Sequence, residues 1–316
     1  MKLLQLISMS VLWTCACTPL REPASDFEGP SREPDPTVRI ELDSNFPLAH
    51  CDVFLFEISG LKKLVAHCRT TDTELEIQCP EGDYSAVAIA NFPGEFNDSA
   101  IPRFDALEGI RYLYSDDDCD CPVQSAVEIA GTGRSSVLEL EPLLCRIELR
   151  SIESEVDLRR MRIWLENVNA EAELLRWSNF HIGRMLNCGA LVYDDYKDMR
   201  HRRMLVRNID EAPSWRYTFY PKVSLWCYPN DSDDGLGSAV TVFVLQGFVG
   251  DDMMEYRYPL PPLRRNCREI VDLRMHSLAG CDGNHLVDII HRTAAAEVVD
   301  GACDSLKDGS DSLGAT

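Results

Sequence analysis

Long apolar runs and positive charge are both scarce in this sequence of 316 residues. Beyond the N-terminus, no apolar stretch is long enough to cross a membrane as a helix. The 52 Asp and Glu residues outnumber the 31 Lys and Arg residues, and the formal net charge is −21. Nucleic acids and anionic lipid headgroups are therefore poor partners, and the acidity serves mainly to keep the protein soluble.

Sequence motifs of catalytic sites are also missing. There is no nucleophile elbow, no His-Glu-x-x-His motif and no Cys–His pair in a helical setting. The glycine-containing segment 131–136 lacks the lysine and the spacing of a phosphate-binding loop. The sequence therefore predicts a protein that is not an enzyme, with no catalytic residue, no cofactor and no bound metal.

The N-terminus has the form of an export signal. Residues 1–17 contain one lysine, a short apolar run over residues 3–13, and Ala16 directly before Cys17. This order resembles a bacterial lipobox, in which the chain is cut before Cys17 and this cysteine carries the lipid. An ordinary cleaved signal with coincidental cysteines is the alternative. Residues 18–36, rich in proline and acidic residues, are predicted to form a flexible linker.

Most of the remaining chain predicts short strands. Apolar and polar residues alternate in runs that are separated by Gly, Pro, Asn and Asp turns, which is typical of a β-sandwich. The length suits two domains, so we expect an N-terminal sandwich over residues 37–141 and a C-terminal one over residues 142–282. The tail, residues 283–316, is expected to be partly disordered, with a short amphipathic helix over residues 284–299.

Several segments are distinctive through their order along the chain. They comprise a dense strand, a Gly-x-Tyr strand that ends in Ala-Asn, the stretch that opens the second half, and short motifs near the end. These segments lie at residues 51–56, 82–91, 140–149, 227–230, 256–261, 263–266 and 271–275. Together they resemble the fimbrillin superfamily of Bacteroidia, whose members are fimbrial subunits and anchors. The resemblance covers about residues 1–283.

The resemblance implies an all-β fold of two tandem transthyretin-like β-sandwich domains with Greek-key connections. It also implies that subunits join by donor-strand exchange, in which an extended segment of one subunit fills a groove in the next. Stalk subunits of this family are cut after an arginine, which removes the first strand. Arg21, Arg32 and Arg39 precede the core of this chain, and Arg32 and Arg39 are the candidate cleavage sites.

The resemblance thus implies a structural function in a fimbrium (pilus). The chain would be a membrane-anchored or accessory subunit that joins other fimbrial subunits and supports cell adhesion. An anchor keeps its first strand and its lipid, of the palmitate type, on Cys17, and it stays in the cell outer membrane. Anchor, tip and stalk roles are left open by the sequence.

The cysteines leave several interpretations open. Of the 13 cysteines, two lie in the signal, and the odd number beyond it means that at least one thiol stays unpaired or pairs between chains. Export favours disulfides. If the hairpin turns tightly at residues 59–60, Cys51 and Cys68 face each other at a separation that suits a disulfide. Unpaired core cysteines, and a zinc site that includes His50 and His67, are the alternatives.

Two acidic segments and four tryptophans suggest other binding functions. Residues 116–121 could hold calcium or a soft metal, but an exposed acidic loop is commoner. Residues 230–235 echo a calcium loop, but Thr241 stands where an EF-hand needs an acid. Tryptophans on strands form either a carbohydrate platform or part of the core; here they are Trp164, Trp177, Trp215 and Trp226. A platform would indicate the alternative function, a surface glycan-binding lipoprotein of a nutrient-uptake system.

Overall fold

The structure is a computed structural model that describes residues 36–114, 117–175, 185–186, 204, 206–209, 218–232, 239–277 and 285–294. The signal, Cys17, Arg21, Arg32 and nearly all of the linker 18–36 lie outside the described residues. Their predicted roles therefore stay predictions. Within the ranges given above, no helix has the length and apolar character that a bilayer crossing requires.

The described chain consists mainly of β-strands, which confirms the all-β fold. Its helical segments include α1 (Phe104–Glu108) and a 3-10 turn at Asp98–Ala100. The strands of the first half are β1 (Thr37–Ser44), β2 (Cys51–Glu57), β3 (Leu64–Thr70), β4 (Glu74–Gln78), β5 (Asp83–Ala90), β6 (Arg111–Leu113), β7 (Gln124–Gly131) and β8 (Ser135–Pro142). The strands of the second half are β9 (Cys145–Ser154), β10 (Leu158–Glu166), β11 (Val168–Asn169), β12 (Glu171–Glu173), β13 (Met185–Leu186), β14 (Val206–Ile209), β15 (Thr218–Phe219), β16 (Val223–Cys227), β17 (Val242–Val249), β18 (Asp252–Pro259), β19 (Arg268–Ser277) and β20 (His285–Ala294).

The first half forms a seven-stranded sheet in the order β3-β2-β5-β7-β8-β1-β4. Strands β7 and β8 pair only where Gln124 and Ser125 meet Pro142 and Glu141. One apolar cluster nevertheless combines inward residues of β1 and β8 with inward residues of β2 and β5. Since these strands are far apart in the sheet order, the sheet folds over at β7–β8 into the two facing layers of a β-sandwich.

Strand β2 is buried on both of its faces. Val53 and Leu55 point into the sandwich, whereas Phe54 and Phe56 belong to a second apolar cluster. That second cluster also contains side chains of the second half, among them Trp226. Burial on both faces explains why β2 reads as a nearly continuous apolar run rather than as an alternating one.

The second half contains two larger sheets, β14-β10-β17-β18 and β15-β9-β19-β20, and β16 also pairs with β9. Strand β9 lies between β19, to which it is parallel, and β16, to which it is antiparallel. Strand β1 has the same relation to β8 and β4. The first strand of each half is therefore held in the same way, although no sequence repeat indicates it.

The predicted domain boundary between residues 141 and 142 falls at the end of β8. The two halves are nonetheless joined, because β6 pairs with β12 and one apolar cluster extends through both halves. The chain from Asp35 onward forms one compact unit. The division into tandem domains over residues 37–141 and 142–282 stays a prediction.

The predicted amphipathic helix over residues 284–299 is wrong for residues 285–294. These residues form strand β20, which pairs antiparallel with β19 along its whole length. The edge of β19 that faces away from β9 offers backbone hydrogen bonds to all of them, whereas a short helix without tertiary packing is barely stable. The β-branched residues of β20 also favour a strand. The rest of the tail 283–316 lies outside the described residues.

Candidate functional site

Strand β1 lies in a slot between two other strands. Its backbone pairs in parallel with β8 on one edge and antiparallel with β4 on the other. Its inward side chains Val38, Ile40 and Leu42 are 0 %, 2 % and 4 % exposed. Burial of each such side chain contributes about 1.5–3 kcal/mol. Removal of β1 would therefore open a groove with an apolar floor and two unpaired sheet edges.

Ile40→Ala should lower the free energy of unfolding by about 3 kcal/mol, because it leaves a cavity beneath β1. Urea-induced unfolding followed by circular dichroism measures this loss. Val137→Ala on β8 is the matched control, since the Val137 side chain is 47 % exposed, and it should cost less than about 1 kcal/mol. Equal losses in the two variants would contradict the packing of β1 into the sandwich.

Neither candidate arginine is placed so that a cut after it releases β1. Arg39 lies inside the strand, and its Nε donates to Glu76 Oε1 at 2.7 Å. A cut there would leave residues 40–44 of β1 in place, and a cut after Arg32 would leave the whole strand. The next arginine in the sequence is Arg69, in β3. Proteases bind extended, unpaired segments, whereas the backbone around Arg39 pairs with both neighbouring strands.

A buried arginine holds the two halves together. Arg265 is 6 % exposed, and its guanidinium donates to the carbonyl oxygens of Leu174 at 2.8 Å, Glu141 at 2.6 Å and Pro142 at 3.1 Å. It also donates to Ser125 Oγ at 2.7 Å. Burial lowers the Arg265 pKa to about 10, so the side chain is still a cation at neutral pH. In the sequence, the only signal at Arg265 is its place in residues 263–266, one of the segments that carry the fimbrillin resemblance.

A buried aspartate lies at the same junction. Asp117 is 3 % exposed; its Oδ1 accepts from the backbone N–H groups of Asp118 at 2.9 Å and Val123 at 3.0 Å, and its Oδ2 accepts from Tyr228 Oη at 2.9 Å. Burial raises the pKa of Asp117 to about 7 against the effect of these hydrogen bonds. The negative charge of Asp117 also raises the pKa of Arg265. The carboxylate therefore ties the acidic segment of the first half to Tyr228 in the second.

The interpretation of residues 116–121 as an exposed acidic loop is thus wrong for Asp117 and also for Cys119, which is 1 % exposed. Asp118, Cys119 and Asp120 each place one potential metal-ligand atom within 4.8 Å of the other two. In the part of the chain that the structure describes, no other set of three His, Cys, Asp or Glu residues is so close together. Part of this set is already in use, because Asp118 Oδ1 accepts from the Asp120 backbone N–H at 3.0 Å. The cluster is a hydrogen-bonded loop, and we assign it no metal.

The two histidines beside the predicted cysteine pair have separate partners. His50 Nε2 is in hydrogen-bond contact with the carbonyl oxygen of Phe92 at 2.6 Å. His67 lies between two carboxylates, with Nε2 at 3.1 Å from Asp52 Oδ1 and Nδ1 at 2.6 Å from Asp98 Oδ1. The hydrogen bond to Asp52 raises the pKa of His67. The structure therefore does not bring His50 and His67 together as zinc ligands.

The register that placed Cys51 opposite Cys68 is also wrong. Cys51 pairs with Thr70, and Cys68 pairs with Val53. The physical reason is that the turn between β2 and β3 is longer than a two-residue turn at 59–60, which shifts every facing pair. The two cysteines are diagonal neighbours and are free thiols in the structure. The disulfide between them stays a prediction.

Two of the four tryptophans lie in the core. Trp164 is 4 % exposed and Trp226 is 1 % exposed, and the Trp226 ring meets Phe46 edge-on at 6.4 Å between centroids. Trp177 and Trp215 lie outside the described residues. Side chains buried in this way offer no stacking face to a sugar, so Trp164 and Trp226 do not form a carbohydrate platform.

Comparisons with known proteins establish the fold. No protein-family model matches the chain, and no curated protein matches it significantly. One similar solved structure is the tip fimbrial protein Mfa3 from Porphyromonas gingivalis with a C-terminal truncation; identity is 9 %, coverage is 82 % of this chain and 100 % of that chain, and the TM-score is 0.54. Another is a fimbrial assembly protein from Parabacteroides distasonis, with 12 % identity, coverage of 82 % and 98 %, and a TM-score of 0.52. The all-β sandwich fold that the fimbrillin resemblance implied is therefore confirmed, whereas its division into two tandem domains stays a prediction.

Proposed function

We propose that the protein is a structural subunit of a bacterial surface fimbria, of the membrane-anchored kind, and that it supports adhesion. The fold similarity to Mfa3 and to a fimbrial assembly protein supports a fimbrial function. The two strand-rich halves would be its tandem sandwich domains. The observation that carries the anchor role concerns strand β1. This strand pairs with both of its neighbours, and a cut after neither Arg32 nor Arg39 would remove all of it.

Strand exchange requires an open groove in one subunit and a free extended segment in the next. In this chain β1 fills the slot between β4 and β8, so the groove is closed from within. The chain would then join other subunits through one surface only, as a donor of a segment rather than as an acceptor. A subunit with one joining surface ends a polymer, which suits an anchor held by a lipid on Cys17 in the outer membrane.

Replacement of both candidate arginines tests the anchor role. In cells that carry Arg32→Lys and Arg39→Lys together, fimbrial ladders that resist mild heating in detergent should persist unchanged. Mass spectrometry of the mature protein should still find its N-terminus at residue 17, before and after the substitutions. Loss of the ladders, or a wild-type mature N-terminus after Arg32 or Arg39, would show a stalk subunit instead. Absence of the wild-type protein from any ladder would overturn the fimbrial proposal itself.

Cys17→Ala should move the protein out of the membrane fraction or leave an unprocessed precursor, because it removes the thiol to which the lipid would be attached. Cell fractionation followed by immunoblotting measures the shift. Cys15→Ala is the matched control, since it removes the other signal cysteine without touching the acceptor, and it should leave processing and membrane retention unchanged. Unchanged retention of Cys17→Ala would refute the lipid anchor.

A further inference from the structure

Three cysteines from three strand ends meet in the second half. Cys145 begins β9, Cys227 ends β16, and the two residues face each other in the antiparallel register. Cys267 directly precedes β19, and its carbonyl oxygen accepts from the backbone N–H of Arg146 at 2.9 Å. Burial raises the pKa of the Cys145 thiol, and the neighbouring thiols of Cys227 and Cys267 raise it further. All three are free thiols in the structure.

The three thiols differ in their access to solvent. Cys267 is partly exposed, whereas Cys145 and Cys227 are both 0 % exposed. They are not gathered around one point, because the three sulfur atoms do not all lie within 4.8 Å of one another. A tetrahedral metal needs its ligands around a common centre. The arrangement therefore suits transfer of a bond from one thiol to the next better than metal binding.

We propose that Cys267, Cys145 and Cys227 form a thiol–disulfide relay that turns an external disulfide into a buried Cys145–Cys227 disulfide. The inference goes beyond the fimbrial function and does not depend on assembly. It uses export only to supply an oxidising compartment, where low-molecular-mass or protein disulfides act as the oxidant.

The relay has three exchange steps. The Cys267 thiolate attacks the external disulfide RS–SR, which forms a mixed disulfide and releases one RSH. The Cys145 thiolate then attacks the Cys267 sulfur, which forms Cys145–Cys267 and releases the second RSH. Finally Cys227 attacks the Cys145 sulfur, which forms Cys145–Cys227 and returns Cys267 to the thiol. Two protein thiols are oxidised by two electrons in total, and one external disulfide is reduced to two thiols.

The strand register favours the final pair. Facing residues of an antiparallel pair have Cα atoms about 4.5–5.5 Å apart, which lies within the range of about 4.4–6.8 Å that disulfides require. The Cys145–Cys227 disulfide would crosslink β9 and β16 without backbone movement. Cys145 also donates to the carbonyl oxygen of Arg264 at 2.8 Å, and burial raises its thiol pKa well above 9.0. Because Cys145 is 0 % exposed, an outside disulfide does not reach its sulfur, so the reaction needs the accessible Cys267 to begin.

The test uses the folded full chain and glutathione disulfide as the probe, with alkylation at intervals and peptide mapping by mass spectrometry. We expect glutathione on Cys267 first and a Cys145–Cys227 link afterwards, with Cys267 again alkylatable at the end. Cys267→Ser should slow formation of the link by about tenfold or more, since the accessible entry point is lost. Cys121→Ser, which removes another partly exposed thiol, is the matched control and should leave the rate unchanged.

Three outcomes would overturn the relay. Cys145 and Cys227 could remain alkylatable in the unfolded, quenched sample after prolonged oxidation. Alternatively, the terminal product could be Cys145–Cys267, or Cys267→Ser could oxidise at the wild-type rate. The time course of the wild-type protein decides the question on its own should Cys267→Ser fail to fold, because the mixed disulfide on Cys267 must precede the buried link.

Discussion

Arg265→Met should lower the free energy of unfolding by about 4 kcal/mol, among the largest losses for any single substitution in this chain. The methionine side chain fills a similar volume but donates no hydrogen bond. The carbonyl oxygens of Glu141, Pro142 and Leu174 would lose a donor inside the protein. A buried acceptor left without a partner costs about 1–3 kcal/mol, whereas the Leu174 oxygen keeps the hydroxyl of Ser125 as a donor.

The size of this loss follows from the position of Arg265 as well as from its bonds. Its acceptors come from the end of β8, from the chain after β12 and from β7, so one guanidinium spans both halves. Asp117 would also lose the nearby positive charge that is electrostatically linked to it. Arg265→Lys should cost less than Arg265→Met, because an ammonium keeps the charge but cannot reach all of the acceptors.

Guanidinium-induced unfolding of the two variants gives the measurement. Arg264→Met is the matched control, since Arg264 is the neighbouring arginine and its side chain is exposed. This control should change stability by no more than about 0.5 kcal/mol. A loss in Arg265→Met no larger than in Arg264→Met would show that the guanidinium does not hold the junction.

Strand positions could be predicted well from the sequence, because alternation and turn residues are local signals. The dense run of β2 predicted a strand, and its burial on both faces agrees with its apolar centre. Register was not predictable in the same way, because it depends on how many residues the turn absorbs. A shift of the facing pairs separated Cys51 from Cys68. The helix predicted for the tail failed because β19 offers an edge that local periodicity does not reveal.

The junction could not be found from the sequence for a related reason. An acidic run such as the one around Asp117 is normally solvated, and only tertiary packing shows that this carboxylate meets Tyr228 inside the protein. Arg265 lies in a motif of the sequence, but nothing local distinguishes it from the exposed Arg264 beside it. The facing of Cys145 and Cys227, far apart in sequence, likewise appears only with the register of β9 and β16.

The second large effect concerns pH, and Asp117 is its source. The pKa of this carboxyl is about 7 in the folded protein and 3.8 in the unfolded chain. Between these values the folded state binds more protons than the unfolded state, so the free energy of unfolding should fall as pH rises. The fall approaches about 4 kcal/mol by pH 8. The raised pKa of His67 acts in the same direction, since its stabilisation is complete below 6.5 and is lost as pH rises through the folded value.

Asp117→Asn should remove most of the slope between pH 4 and pH 7, because the amide does not titrate. Urea-induced unfolding at a series of pH values measures the slope. Asp120→Asn, an exposed aspartate of the same segment, is the matched control and should reproduce the wild-type profile. A wild-type slope in Asp117→Asn would mean that the proton uptake resides elsewhere.

The two junction predictions are coupled, which provides the sharpest test of both. Once Asp117 is replaced by asparagine, Arg265→Met no longer leaves a buried negative charge without a nearby positive one. Part of the loss in the free energy of unfolding should therefore disappear. The double variant should then be less destabilised than the sum of the two single effects by about 1 kcal/mol or more at pH 8. The same comparison at pH 5, where Asp117 is protonated in the folded protein, should bring the coupling close to zero. Coupling that is equal at the two pH values would show that the charge of Asp117 does not act on Arg265.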